Sequence, residues 1–444
     1  MEEIFFPKRS YLYSIEPRGL KTEYIESLTS YITRLSEAHS VYTGTLLNTV
    51  LAQNLNKQYI SKYAVNGGNG FLDSAHALNG TNKNAADFAG VISALTCRND
   101  IQYMTMTTLR DVIPTKGLLK GSLSWCPECY EELRKSGLPI FSPLLWNFQV
   151  TEICEKHGTR LASVCPNCNS KIPYLHRKGC IGFCPKCNAW LGDSPKDNNN
   201  DKSGVDIKYQ SWVNSNIGEL LRLAPTLNCF PKRENLTNNI NYLIYSTCNG
   251  IVDFGKFTGF SKATVSDWSS GKSIPTLNKL LFIGYKFGVM LKDLLINADN
   301  ISKTSRLIGA DPSFVYENKH IGRKKLCYDQ VREELEKYIR KDKNIPMTQV
   351  AQKIGINKRV LYRIFPDLCK QISKNHKHSL ENSRIERSQK VKQEIDYTIE
   401  NLLENGQYPG RRKIEMNLSN KIILREKVAK EAWKSKLGMN SLGK

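Results

Sequence analysis

Four ligand pairs fall within one short stretch of the chain: Cys126-Pro-Glu-Cys129, Cys154-Glu-Lys-His157, Cys165-Pro-Asn-Cys168 and Cys184-Pro-Lys-Cys187. Two residues between ligands let one tight turn aim both donor atoms at a single metal, and two such turns close a tetrahedral site. The donors therefore suit two zinc ions. Taken in chain order, Cys126, Cys129, Cys154 and His157 hold one ion, and Cys165, Cys168, Cys184 and Cys187 hold the other. An interleaved cross-brace, with the first and third pairs sharing a metal, fits the same spacing. Lone core cysteines do not arrive as CxxC pairs. With every coordination position filled by protein, these zincs are expected to be structural, with no catalytic residue among their ligands.

The other cysteines, Cys97, Cys180, Cys229, Cys248, Cys327 and Cys369, read as ordinary buried or semi-buried thiols. Cys180 lies inside the second zinc loop and is the one substitute ligand. A metal-like pattern of this kind belongs to a reducing compartment. The N-terminal MEEIFFPKRS has neither a basic start nor a sustained apolar run, so it does not read as a secretory signal. The longest apolar region, near Leu280 to Leu295, is interrupted by Lys286, Lys292 and Asp293, too polar for a membrane span.

Catalytic motifs are missing where they would be looked for. Gly271-Lys272-Ser273 resembles the end of a phosphate-binding loop, but Ser266 stands where the first glycine is needed. There is no HExxH and no nucleophile motif. A zinc-containing nuclease or recombinase would account for the metal and the basic charge, yet no residue cluster supplies its chemistry. The chain reads as a binding protein, not an enzyme.

The elements that must carry these residues are mainly α-helical. From 20 to 56, Tyr24, Leu28, Ile32 and Leu35 recur at helical spacing, then Leu46, Leu47, Val50, Leu51 and Leu55. A helical N-terminal domain is expected over 1–122, a double zinc-finger region over 123–193, and a polar linker over 194–206. A first helix-turn-helix domain follows at 207–300: Phe254 and Phe257 precede Gly259 at a turn, and Ser261 caps a second helix in which Val265 and Trp268 face inward. Lys262, Thr264 and Asp267, with Lys272 just beyond, then face outward, where a major groove would lie.

After a linker at 301–325, the pattern returns at 326–378. Val350, Ala351 and Ile354 make one apolar face, Gly355 the turn, and Asn357 caps a helix packed through Val360, Leu361 and Ile364. Lys358, Arg359, Tyr362 and Arg363 remain for solvent or DNA. A basic helical C-terminal domain is expected over 379–444. There Arg411, Arg412 and Lys413 follow a Pro-Gly turn and suit phosphate contact or a solvated face.

Charge agrees with this division. The 444-residue chain carries +22 in total, and residues 301–444 hold 32 Lys+Arg against 17 Asp+Glu, or +15 of it. Such a balance is an electrostatic footprint for nucleic acid.

These residues resemble the TnsD/TniQ family of target-selection proteins from Tn7-like transposons. The resemblance rests on Glu26-Ser-Leu-Thr-Ser-Tyr-Ile-Thr-Arg-Leu35, Trp125-Cys-Pro-Glu-Cys129, Leu144-Leu-Trp146, and Cys154-Glu-Lys-His-Gly158 running to Cys165-Pro-Asn-Cys168. It covers roughly 15–190. Val360-Leu-Tyr-Arg-Ile-Phe-Pro-Asp-Leu-Cys369 and Gly406-Gln-Tyr-Pro-Gly-Arg-Arg412 are similar to the longer TnsD branch. The resemblance implies recognition of a double-stranded chromosomal attachment site, and tandem units in one chain would read an asymmetric site as a monomer. It also implies recruitment of the AAA+ regulator TnsC through the N-terminal domain and, indirectly, of the transposase. The alternative within the family is a TniQ adaptor joining an RNA-guided Cascade complex to TnsC, as in CRISPR-associated transposons.

Overall fold

The computed structural model describes residues 9–55, 70–192, 207–227, 229–296, 328–340, 345–420 and 423–437. They fall into two compact units, Met1–Glu317 and Asn318–Lys444. The fold is mainly helical. Among the described residues, extended structure is limited to isolated antiparallel bridges such as Glu26 with Pro143 and Leu119 with Phe148.

The first unit is built around helix α1 (Leu28–Ala38). Ser27 caps it by accepting from the Ser30 N–H, and every residue from Leu28 to Ser36 is buried. A helix buried on all sides ought to be apolar all round. This one is not, so each of its polar side chains must find a partner inside the protein. Arg34 forms an ion pair with fully buried Glu26. The Ser30 hydroxyl donates to Glu26 Oε1 at 2.7 Å, and the Arg18 N–H donates to Oε2 at 3.3 Å. The Thr29 hydroxyl accepts from Asn79 Nδ2 at 2.9 Å, and the same amide donates to Asn147 Oδ1 at 2.9 Å. Burial raises the Glu26 pKa while the neighbouring Arg34 opposes that shift.

Arg34→Ala would strand the Glu26 carboxylate in the core. A buried pair broken on one side costs about 3–5 kcal/mol. Urea unfolding of the variant should show a loss of that size, whereas a change below about 1 kcal/mol would place the pair among the inconsequential ones.

Tyr24 lies ahead of α1, not within it as its spacing suggests. The chain turns at Gly19 (φ +64°), where a side chain would meet the Tyr24 carbonyl oxygen at 2.4 Å, and the helix begins only at Leu28. Helical runs over Thr43–Leu46 and Leu47–Leu51 follow, the latter with π-type hydrogen bonding, and then α2 (Lys83–Thr96) and α3 (Pro127–Lys135).

Helix α4 (Ile207–Leu223) leads to α5 (Arg233–Tyr242), α6 (Ile251–Thr258), α7 (Lys262–Ser269), α8 (Leu277–Phe287) and α9 (Leu291–Leu295). One apolar cluster contains Leu28 and Ile32 of α1, Leu144 and Phe148 between the metal-ligand pairs, Ile217 of α4 and Leu280 of α8. Polar contacts reinforce it. Gln210 accepts from the Glu152 N–H at 3.0 Å and donates to the Val150 carbonyl at 3.1 Å, and Asn214 donates to the Ile153 carbonyl at 3.0 Å. Packing therefore runs unbroken across the composition changes near 122 and 207.

The second unit comprises α10 (Tyr328–Arg340), α11 (Met347–Ile354), α12 (Lys358–Ile364), α13 (Pro366–Glu404), α14 (Arg411–Asn417) and α15 (Lys427–Lys436). It has two separate apolar clusters. One joins Leu335, Val350 and Leu361 to Cys369 and Ile372, and the other joins Val391, Ile395 and Ile399 to Ile414, Leu424 and Ala429. Helix α13 contributes to both, so it runs straight through residue 379, where the sequence pattern breaks.

Candidate metal centres and nucleic-acid interface

Three of the four ligand pairs are built alike. In each, the residue after the second ligand takes the left-handed conformation: Gly158 at φ +63°, Asn169 at +52° and Asn188 at +64°. Glycine and asparagine accept that region at little cost. This bend returns the backbone so that the Gly158, Asn169 and Asn188 N–H groups donate to the carbonyls of Cys154, Cys165 and Cys184 at 2.8, 2.9 and 2.8 Å. Both donor side chains then leave the turn on one side. The remaining pair uses a helix: Cys126 is the cap residue of α3, Pro127 opens it, and Cys129 lies in its first turn. A helix N-terminus stabilises the thiolate form that binds metal.

The pairs gather in chain order, as Cys126, Cys129, Cys154 and His157, and as Cys165, Cys168, Cys184 and Cys187, with the donor atoms of each group within 4.8 Å of one another. The Cys129 and Cys154 sulfurs are 3.6 Å apart, and His157 Nδ1 lies 3.4 Å from Cys126 Sγ and 3.2 Å from Cys129 Sγ. In the second group the Cys165–Cys187 and Cys168–Cys184 sulfurs are 3.5 and 3.7 Å apart. A tetrahedron with Zn–S bonds of about 2.3 Å has edges of about 3.8 Å, so both donor sets fit such an ion. Hydrogen bonds from the Cys129 and Cys154 thiols lower the Cys126 pKa, favouring its thiolate.

Glu132 completes the first group and was not singled out by spacing. Its Oε1 lies 3.0 Å from His157 Nε2, the ring nitrogen that points away from the sulfurs. A carboxylate on the far nitrogen fixes the tautomer and orientation of a ligating histidine. Glu132 stands one helical turn after Cys129, and that spacing is the signal that could have found it. Around the two groups lie Trp125, Tyr130, Trp146 and Trp190 in a shared aromatic cluster. The Trp125 indole donates to the Leu191 carbonyl at 2.9 Å and the Trp190 indole to Glu131 Oε2 at 2.9 Å. Nearby, Lys120 donates to Ser124 Oγ, the Trp146 carbonyl and the Thr151 carbonyl, and burial pushes its pKa down to about 8.

Cys180 belongs to neither group. Of the other thiols, Cys248 is half-buried and Cys369 buried, but Cys97 and Cys229 are exposed, which corrects the expectation for those two. Each sits outside any apolar stripe, Cys97 as the left-handed residue that ends α2. Cys327 lies outside the described residues.

In both pairs of helices expected to form helix-turn-helix units, the glycine that ends the first helix and the residue that caps the second stand where the sequence placed them. Gly259 and Gly355 end α6 and α11 at φ +76° and +77°, and Ser261 and Asn357 cap α7 and α12. Inward, Val265 and Trp268 are buried in the first, the latter edge-on to Phe260 with centroids 5.1 Å apart, and Leu361 in the second. Val360 and Ile364 are half-buried.

The outward residues divide by what already occupies them. On α7, Lys262 is exposed, while the Thr264 hydroxyl lies 2.9 Å from Ser261 Oγ and Asp267 approaches Lys272 at 3.8 Å. Asn357 accepts from the Arg359 N–H at 2.9 Å. Tyr362 is half-buried and bonds Ser373 of α13 at 2.7 Å, so it anchors α12 and does not face solvent freely. Lys358 sits over the Tyr362 ring at 5.7 Å. Arg359 and Arg363, one helical turn apart, are exposed and make no ion pair among the described residues. In α14, Arg411 is taken by Glu415 at 3.0 Å, leaving Arg412 and Lys413 exposed and unpaired among the described residues. Lys430 and Lys434 of α15 form a further exposed i, i+4 pair that the sequence reading did not separate from the general charge.

No helix among the described residues is long and apolar enough to cross a membrane. Residues 17–161 match the family model for TniQ, a span that ends just past the first Cys–His group. No curated protein matches the chain.

Proposed function

We propose that this chain is a target-selection protein of a Tn7-like transposon, which binds a double-stranded attachment site directly and recruits the AAA+ regulator TnsC. The observation that carries this reading is the pairing of a TniQ match in the first unit with exposed cations of α12 in the second that make no ion pair among the described residues. Phosphate contacts from lysine and arginine supply affinity and salt dependence, and a few side chains on the capped second helices read base edges. Zinc, held by Cys126, Cys129, Cys154 and His157 and by Cys165, Cys168, Cys184 and Cys187, would supply a fixed frame and no reaction step. The protein acts by positioning, as an adaptor, and the transposase follows through the regulator.

The two units give a direct test. A cut within 297–327 leaves both sets of apolar clusters whole. Fragment 1–296 is expected to retain TnsC in a pull-down without site-specific DNA binding, and fragment 328–444 to shift DNA without retaining TnsC. Capture of TnsC by the second fragment alone would reverse the roles. A shorter fragment ending at Gly192 is a poorer probe, because it strips α4 and with it the Gln210 and Asn214 contacts.

A further inference from the structure

Helix α13 is 39 residues long, about 58 Å at 1.5 Å per residue. Its first turns complete the apolar cluster around α11 and α12, and its last turns complete the cluster around α14 and α15. Between them, from Ser373 to Lys390, no residue is buried. Leu380 and Ile385 are 53% and 54% exposed there, so no apolar stripe holds this stretch against a core. In proteins most helical stability comes from tertiary packing, which here is supplied by the clusters at its two ends.

The neighbouring helices α12 and α15 are each also pinned to α13 by a specific polar contact. Tyr362 of α12 bonds Ser373 at 2.7 Å, and Glu426, the cap residue of α15, accepts from Arg387 Nη2 at 2.7 Å. At the far end Lys436 reaches Glu400 at 2.7 Å, so α15 lies along α13 over that span. The pins fix the rotational setting of both helices on one rod. The apolar anchors Ile372 and Ile395 are 23 positions apart, or about 34 Å along the axis. One turn of B-form duplex is about 34–36 Å.

We propose that α13 is a ruler, holding α12 and α15 about one duplex turn apart so that the second unit engages a two-part DNA site of fixed spacing. The proposal rests on the direct DNA-binding reading above. The exposed cations that make no ion pair among the described residues fit it: Arg359 and Arg363 at one end, Lys430 and Lys434 at the other. Apart from Arg387, which Glu426 occupies, the rod between carries Lys374, Lys377, Arg384 and Lys390 against Glu381 and Glu386, a basic balance suited to a path beside phosphates.

The test uses the full chain and a random-sequence duplex library, with bound molecules sequenced. The expected motif has two blocks with centres a constant distance of about 10 bp apart. Inserting about half a turn or a full turn of DNA between the blocks should each lower affinity at least about tenfold, because a rod cannot follow either change. The triple change Leu380→Gly, Asn382→Gly and Ser383→Gly breaks the rod in its solvated centre and touches neither cluster. It should leave both blocks selected but spread their spacing over several base pairs. Two blocks of variable spacing in the unmodified protein, or a single block, would overturn the ruler while leaving DNA recognition standing. Failure to select any sequence would remove the underlying reading. The DNA insertions decide the matter even if the glycine variant does not fold.

Discussion

Purified protein should carry about two zinc ions per chain under the four-ligand rule, and stripping them with a strong chelator should collapse the aromatic cluster that encloses both ligand groups. Structural zinc contributes about 10–16 kcal/mol of apparent binding free energy in small fingers. That is comparable to the whole stability of an ordinary domain, about 5–15 kcal/mol, so no single compensating contact will rescue the region. Trp125, Trp146 and Trp190 all sit in that cluster and provide the readout, through a loss of tertiary tryptophan signal on chelation. Cys126→Ser and Cys165→Ser should each reproduce the loss. Cys97→Ser, at an exposed position outside both groups, should stay within about 0.5 kcal/mol of the parent protein. A metal-free chain with its tertiary signal intact would end the zinc assignment.

The second large effect is expected at α12. Arg359 and Arg363 are exposed, one turn apart, and free of carboxylate partners among the described residues, so removing them costs the fold little. Losing a base-reading arginine costs about 1–3 kcal/mol and relaxes preference at one position, while losing a phosphate contact weakens all sequences and lowers the salt slope by about one. The double change Arg359→Ala with Arg363→Ala should therefore abolish site-specific gel shifts while zinc content and TnsC retention persist. Wild-type affinity in that variant would shift the search to α7. There Lys262 is exposed, but Thr264 is engaged with Ser261 and Asp267 approaches Lys272 at 3.8 Å.

Local chemistry was legible in the sequence wherever one short segment determines it. Three of the four ligand turns need only their own ligands and a following residue tolerant of positive φ, which Gly158, Asn169 and Asn188 supply, and the fourth needs only the helix start that Pro127 opens. Likewise Gly259 with Ser261 and Gly355 with Asn357 write a helix stop and a helix start within a few residues. What sequence left open depended on distant partners. The chain-order grouping of ligand pairs is a fact of three-dimensional packing, since a cross-brace has the same spacing. The occupation of Tyr362 by Ser373 needed α13 to turn back under α12. The extent of α13 was hidden for a different reason: its apolar face lapses between Ile372 and Val391, so periodicity ends although the helix does not. The packing of α4 against the N-terminal body was hidden by the polar composition of the run before it, which reads as a linker in sequence but says nothing of what packs on either side.

The most direct measurement is selection of bound fragments from genomic and random DNA by the purified full chain, with no guide RNA and no other protein present. A targeting protein that reads its own site should enrich one asymmetric motif reproducibly, with affinity falling steeply as salt rises. Equal recovery of all sequences would contradict direct recognition and leave α7 and α12 as surfaces for a protein partner.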